Sequence, residues 1–323
     1  MGKRTGPVRS GRAGRSEGRG GGRGGVGVNG AHAGPVLAAP LPPGVTIPDV
    51  QGEQDTRAVA IDKVGVKDVV YPMRLAVSPR HGGGEQATVA RINMYVSLPH
   101  YQKGTHMSRF LEVLNAYDGA VSPGDIPRIT ESVRQRLGAA EAHLEASFTY
   151  FVRKRAPATG QPGVVDYQGS FACSVGSGTE DLVMTVRAPA TSLCPCSKQI
   201  SRYGAHNQRC VIEAAVRPDP RAGVLWIEDL IEILESAASE QVYAVLKRQD
   251  EKHVTERAFD NPKFVEDIVR DLALALDGEE RVRWYAISSE NFESIHNHNA
   301  YAQLCRSKPA GGRRTRRSGN AAR

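Results

Sequence analysis

Residues 169–189 read GSFACSVGSGTEDLVMTVRAP. Two runs rich in strand-forming residues, Gly169–Val175 and Asp181–Pro189, flank a short turn at Gly176–Glu180, which predicts an antiparallel hairpin. Working outward towards the C-terminus, Gln208–Val216 and Gly223–Ile227 predict shorter strands. Glu228–Gln249 predicts a helix with Ile231, Leu234, Ala238, Val242 and Val245 as its apolar stripe. Asn261–Leu276 predicts another, with Asn261 as cap and Pro262 in its first turn. Arg281–Ser288 predicts a closing strand. Towards the N-terminus, Arg74–Val77 and Gln86–Leu98 predict two strands around the turn SPRHGGG. Arg109–Tyr117 predicts a short helix. Ile126–Arg153 predicts a long one, with Ile129, Val133, Leu137, Leu144, Phe148 and Phe151 at helical spacing. Pro157–Gly163 reads as a linker.

The two rounds resemble each other. Ser97-Leu98-Pro99 leads into KGTHMSR, and Ser192-Leu193-Cys194 leads into PCSKQIS, 95 residues later. The reading is an α+β chain of two fused antiparallel-sheet-plus-helix halves, 46–155 and 164–305. Open sheet edges in such halves invite assembly of several chains.

The chain has 323 residues, 40% hydrophobic and 24% charged, which is enough to bury a core. Its net charge of +7 is concentrated at the ends. Residues 1–45 carry +6 and residues 306–323 carry +7, leaving 46–305 at −6. The basic balance therefore does not make the folded part a nucleic-acid binder. The head, with its GRAGRSEGRGGGRGG core, and the tail, RSKPAGGRRTRRSGNAAR, read as disordered segments, with a tether to RNA or another anionic surface as the sharper alternative. The longest uncharged stretch, Gly24–Pro48, holds six Gly and five Pro and is no membrane helix. The head lacks the apolar run of a secretory signal. Five cysteines form no disulfide framework. A reducing, cytoplasmic compartment is expected, where thiolates remain available to a metal or a substrate.

The most informative stretch is Ser192–Arg209, SLCPCSKQISRYGAHNQR. Cys194 and Cys196 lie twelve and ten residues before His206. A thiolate and an imidazole suit a borderline-soft divalent metal, although the spacing is not that of a zinc finger. Spacing alone leaves three readings open: an open metal site, free thiols beside a surface histidine, or a nucleophilic cysteine with a histidine base. Lys198, Arg202 and Arg209 crowd this loop. Lys103, His106 and Arg109 crowd the matching loop of the first half. Such clusters suit a phosphate-bearing substrate, or are simply solvated. Glu251 lies just past a helix pattern and Glu266 in the second turn of a helix. A lone acid on a helix is most often solvated. His296 and His298, two apart in SSENFESIHNHNA, share a side if that segment is extended. No phosphate-binding glycine loop, dinucleotide fingerprint, nucleophile elbow or H-E-x-x-H motif competes.

Taken together, IPDVQ, KGTHMSRF, SLCPCSK, YGAHNQR, LKRQDEKHVTE, NPKFVED and NFESIHNHNA resemble GTP cyclohydrolase I of type IB, the prokaryotic form. The likeness runs from about Ile47 to Leu304. Each motif is common alone; the set in this order is specific. The resemblance implies the tunnelling fold, with chains assembling around a barrel, as homotetramers with active sites between chains. It implies conversion of GTP and water to 7,8-dihydroneopterin triphosphate and formate, the first step of tetrahydrofolate synthesis. Cys194 and His206 then match the metal ligands and Glu251 the acidic ligand, with Glu256 close by. Glu266 matches the carboxylate that anchors guanine, and His296 and His298 the active-site pair. Cys196 matches a further cysteine beside the metal.

The chemistry is consistent with those roles. Guanine offers two adjacent donors, N1–H and the N2 amine, to one carboxylate. Carbon 8 becomes electrophilic when N7 is protonated, which needs a histidine in reach. A divalent ion lowers the pKa of bound water towards ~7 for attack on that carbon. Later ring opening and closure need proton shuttling. Lys198, Arg202 and Arg209, with Lys103 and Arg109 of a facing chain, are expected to hold the triphosphate. The Cys/His/Glu donor set should accept Zn, Mn or Fe(II). Other readings are an archaeal-type cyclohydrolase with a cyclic phosphate product, a nitrile reductase with a cysteine nucleophile, and an RNA-binding module driven by the basic ends.

Overall fold

The computed structural model describes residues 48–309. They build one antiparallel sheet from β1 (Ile61–Ala76), β2 (Glu85–Leu98), β3 (Ala142–Arg155), β4 (Pro162–Gly176), β5 (Thr179–Leu193), β6 (Asn207–Pro218), β7 (Glu240–Gln241), β8 (Val282–Asn291) and β9 (Ala300–Ser307). The order across the sheet is β1-β2-β3-β4-β5-β6-β8-β9, with β7 paired on β5. Helices α1 (Ser108–Ala116) and α2 (Ile126–Leu137) join β2 to β3. Helix α3 (Pro195–Ile200) lies between β5 and β6, and α4 (Ile227–Ser236), α5 (Arg248–Asp260) and α6 (Val265–Gly278) join β6 to β8. The α+β reading holds: each half is a hairpin, a set of helices and a second hairpin, β1–β4 and β5–β9, so the halves divide at 177–178 and β4 goes with the first rather than the second.

One face of the sheet is buried from β2 to β8. Ile92 pairs with Ala146, Leu144 with Cys173, Phe171 with Met184 and Ala188 with Ile212, and all eight are buried. Period-two alternation puts them on one side. Val133 of α2, Leu230 and Leu234 of α4, and Ile268, Leu272 and Leu276 of α6 join the same core. Gly169 is required by this packing, because a Cβ there would lie 2.5 Å from the Phe148 ring opposite it. Two tyrosines reach out of the core to buried acids. Tyr150 donates to Glu228 at 2.5 Å and Tyr167 to Glu235 at 2.5 Å, where Lys154 adds an ion pair at 2.7 Å.

Several expected boundaries move. The long helix 126–153 is α2 followed by β3. Gly138, at φ 64°, ends α2 in the left-handed conformation that glycine adopts readily. Leu144 and Phe148, four residues apart, satisfy a period of two as well as 3.6, which is why a helix was expected there. Residues 157–163 are no linker: they turn β3 into β4, which pair from Ala142/Val175 to Arg155/Pro162. The helix expected over 228–249 stops at Ser236. β4 pairs with β5 only as far as Arg187, and Glu240–Gln241 take up the next open edge at Ala190 and Thr191. Gly223–Ile227 is not a strand; Ile227 already begins α4. Asn261 ends α5 rather than capping α6, and its amide donates to the carbonyls of Ala238 and Ser239. Helix α6 starts at Val265, where Asp267 accepts from Phe264 N at 3.0 Å.

β8 is not the closing strand, because β9 follows it as an edge. The basic tail therefore begins later than residue 306. Arg306 and Ser307 end β9, and Lys308 donates to the carbonyls of Leu276 and Glu279 at the end of α6. The Gly/Arg-rich head and the rest of the tail lie outside the described residues. The 95-residue repeat does not superpose equivalent strands: Leu98 ends the second strand of its half and Leu193 the first of its own.

Candidate active site

The site grows from the end of β5. Leu193 pairs with Asn207, so residues 194–206 form a loop across the strand ends. The amide of Cys194 donates to the carbonyl of His206 at 3.1 Å and closes it. Cys194 caps α3, its Sγ accepting from Ser197 N at 3.4 Å. The Ser197 hydroxyl donates to the Cys194 carbonyl at 3.1 Å and accepts from His206 N at 3.2 Å. The structure thus brings Cys194 and His206 together. Cys196 is two residues further on, in the first turn of α3, and exposed. His206 Nδ1 lies 2.8 Å from Gln208 Oε1 and 3.4 Å from the Ser294 hydroxyl. Ser294 belongs to the loop joining β8 to β9, which carries His296 and His298. Those two rings are exposed and stacked, 5.2 Å between centroids.

Glu266 comes to the same end of the sheet. Lys263 N donates to the Leu193 carbonyl at 3.0 Å, and the Ser192 hydroxyl donates to the Lys263 carbonyl at 3.0 Å. Asn291, at the end of β8, donates to the Ser192 hydroxyl at 2.9 Å. These bonds fasten the start of α6 to the ends of β5 and β8. Glu266 stands in the first turn of α6, exposed, with no hydrogen-bond partner among the described residues. Arg202 and Arg209 are exposed on the same rim. Lys198 is already engaged. Its ammonium donates to the Phe259 carbonyl at the end of α5 and sits 4.2 Å from the Phe259 ring centroid.

The other expected residues lie elsewhere in the chain. Glu251 is in the first turn of α5, not past a helix end. Its neighbour Asp250 accepts from Ala158 N at 2.9 Å, Thr159 N at 2.8 Å, the Thr159 hydroxyl at 2.6 Å and Lys247 N at 2.9 Å. Burial alone would raise the Asp250 pKa, but the Thr159 hydroxyl and these amides outweigh it and hold the carboxyl well below its usual range. Glu251 is about 12 Å along the helix axis from Phe259, which Lys198 reaches. Glu256 is paired with Lys252 at 2.6 Å. Among the described residues, no three His, Cys, Asp or Glu side chains gather in metal-binding geometry.

Lys103 and Arg109 follow the end of β2, which lies beside the start of β3 and the β4–β5 turn. Cys194 is at the opposite end of β5, a strand of about 46 Å. Lys103 is paired with Glu53 at 2.5 Å. The loop carrying it borders a cavity of about 710 Å³ lined by Lys63, Tyr101, Gln102, Glu141 and His143. Burial pushes the His143 imidazole below its ordinary pKa, and Lys63 adds to the effect. The sequence reading passed over Gln208, Asp250 and this cavity. Gln208 was within reach of it, two residues after His206.

The family described as Type I GTP cyclohydrolase folE2 matches residues 47–302. "GTP cyclohydrolase FolE2" of Geobacter sulfurreducens is 51% identical over 258 residues, 80% of this chain and 97% of that protein. The protein of the same name from Magnetococcus marinus is 52% identical over 254 residues, 79% and 94% of the two chains. The one from Nitrosococcus oceani is 50% identical over 271 residues, 83% and 99%. Among solved structures, uricase from Arthrobacter globiformis overlays with a TM-score of 0.44 at 7% identity, covering 78% of this chain and 95% of that one.

Proposed function

Because the chain belongs to the Type I GTP cyclohydrolase folE2 family, we propose that its active site is the rim around Cys194 and His206, completed by a neighbouring copy of the chain. The protein is a GTP cyclohydrolase of folate biosynthesis. We read it as the prokaryotic type IB form, a cytoplasmic homotetramer of the tunnelling fold that releases 7,8-dihydroneopterin triphosphate and formate. The observation that carries the site is the bond from Cys194 N to His206 O, which makes a cysteine and a histidine neighbours at the strand ends.

The donor chemistry fits a divalent metal. His206 has one ring nitrogen occupied by Gln208, which leaves Nε2 as a ligand, and Cys194 adds a soft sulfur. Glu251, of this chain after rearrangement or of a neighbour, would be the third donor. When bound, Zn, Mn or Fe(II) would supply Lewis-acid activation of water. The protein's own residues do the rest. Glu266 has no partner among the described residues, so its carboxylate accepts N1–H and N2–H of guanine and sets carbon 8 towards the loop. His296 and His298 lie on the loop that touches His206, where they carry protons to N7 and, later, to the opening ribose. Arg202 and Arg209 meet the triphosphate from one chain, and Lys103 and Arg109 from the next. Lys198 joins them only by leaving the end of α5.

The test is a metal exchange. Chelator-stripped protein is given Mn, Zn or Fe(II) separately, and formate release and pterin fluorescence are followed from GTP. Metal-dependent formate with a neopterin product supports the reading. Formate release that is independent of metal, and unchanged in Cys194→Ala, sinks it.

A further inference from the structure

Gln208 Oε1 faces His206 Nδ1 at 2.8 Å. We infer that Gln208 is the positioning residue for His206: its side-chain carbonyl holds the imidazole as the Nδ1–H tautomer, leaving Nε2 as the lone-pair nitrogen. A neutral imidazole carries one N–H, and a carbonyl oxygen can only accept. With Gln208 Oε1 at 2.8 Å from Nδ1, the proton belongs on Nδ1. Were the amide turned over, its NH₂ would donate to Nδ1 and drive the proton to Nε2, which could then hold no ligand.

The backbone that carries the acceptor is itself fixed. Gln208 is 8% exposed and sits opposite Ser192 in the β5–β6 register. Ser192 is in turn bonded to Lys263 and Asn291. The strand that carries Gln208 therefore cannot shift without breaking the junction of β5, β8 and α6. Ser294, at 3.4 Å, is a second and weaker neighbour of Nδ1, from a more exposed loop. The backbone of His206 is held independently at both its amide and its carbonyl, so Gln208 governs the ring and not the chain.

This role rests on the metal-site reading only for its consequence on affinity. Partners that fix a ligating histidine are typically worth about 10–100-fold in metal binding. The experiment has two readouts on the full-length protein. The first is the tautomer of His206 in metal-free protein labelled with ¹⁵N-histidine, assigned by loss of its signals in His206→Asn. The second is Zn(II) affinity by competition with a chromophoric chelator. Wild type should show a protonated Nδ1. Gln208→Met keeps the volume, removes the acceptor, mixes the tautomers and weakens Zn(II) binding tenfold or more. Gln208→Glu, an acceptor of the same shape, should restore both. A wild-type ring protonated on Nε2, or a Gln208→Met protein with tautomer and affinity unchanged, overturns the role. The expected tautomer with no Zn(II) binding dependent on Cys194 would remove the metal reading and leave the positioning role standing.

Discussion

The carbonyl of His206 accepts the amide of Cys194 at 3.1 Å, so two residues twelve apart in sequence are neighbours at the base of one loop. That bond is made by main chain alone, and side-chain changes at either position leave it intact. Cys194→Ala should therefore keep the fold, giving up only the long Sγ cap of α3, while it loses the bound metal and loses turnover by about a hundredfold or more. Metal analysis of the purified variant beside its melting curve checks this. Full metal occupancy would defeat the ligand role.

Glu266→Ala separates base recognition from the metal. Losing two charge-assisted bonds to guanine should weaken GTP binding by about a hundredfold. Metal content should be unchanged, because Glu266 is not in the loop of residues 194–206. Equilibrium binding of GTP measures it, and wild-type affinity would refute the anchor.

Asp250 gives a dependence on pH. Its pKa is depressed in the folded chain, so its contribution is present above the unfolded value near ~3.9 and fades as the pH falls through the folded value. Asp250→Asn should melt several degrees lower at pH 7. The gap to wild type should close as the pH drops below about 4. Melting curves between pH 2.5 and 7 test the sign; a gap that widens in acid would contradict it.

The five thiols should sort by burial. Burial pushes Cys210 up to about 12 and Cys173 up to about 11, so both should resist iodoacetamide in native protein at pH 8. Cys196, Cys305 and the half-buried Cys194 should label. Mass spectrometry of the digest reads the sites. Native labelling of Cys210 would mean that the sheet opens around it.

A shared active site predicts rescue between chains. Arg109→Ala and Cys194→Ala proteins, each inactive, should regain about a quarter of wild-type activity when unfolded and refolded together, as random pairing at an interface allows. No recovery would place Arg109 outside the site.

The sequence was most legible where one period ruled. The β4–β5 hairpin and the helix over 109–117 appear nearly as expected, because alternation or a single stripe left no rival. It misled where two periods agreed, as at Leu144 and Phe148, and where tertiary pairing cut a helix short, as at Glu240–Gln241. Cys194, His206, Glu266 and the histidine pair, which the resemblance assigned to one candidate site, do reach one end of the sheet. Glu251, expected as a third metal donor, does not join them. A spacing along the chain cannot say which end of a strand or helix a residue will occupy, and Glu251 sits at the opposite end of α5 from Phe259, which Lys198 of the Cys194 loop reaches. Gln208 escaped notice because a glutamine on a strand carries no signal until its partner is seen.

The β4–β5 pairing has a consequence for motion. The two halves meet at Ser177-Gly178, and the strands on either side are bonded from Gly176/Thr179 to Gln168/Arg187. No hinge crosses the chain there, so one half cannot swing against the other to admit a nucleotide. Opening and closing are left to the short segments at the strand tips.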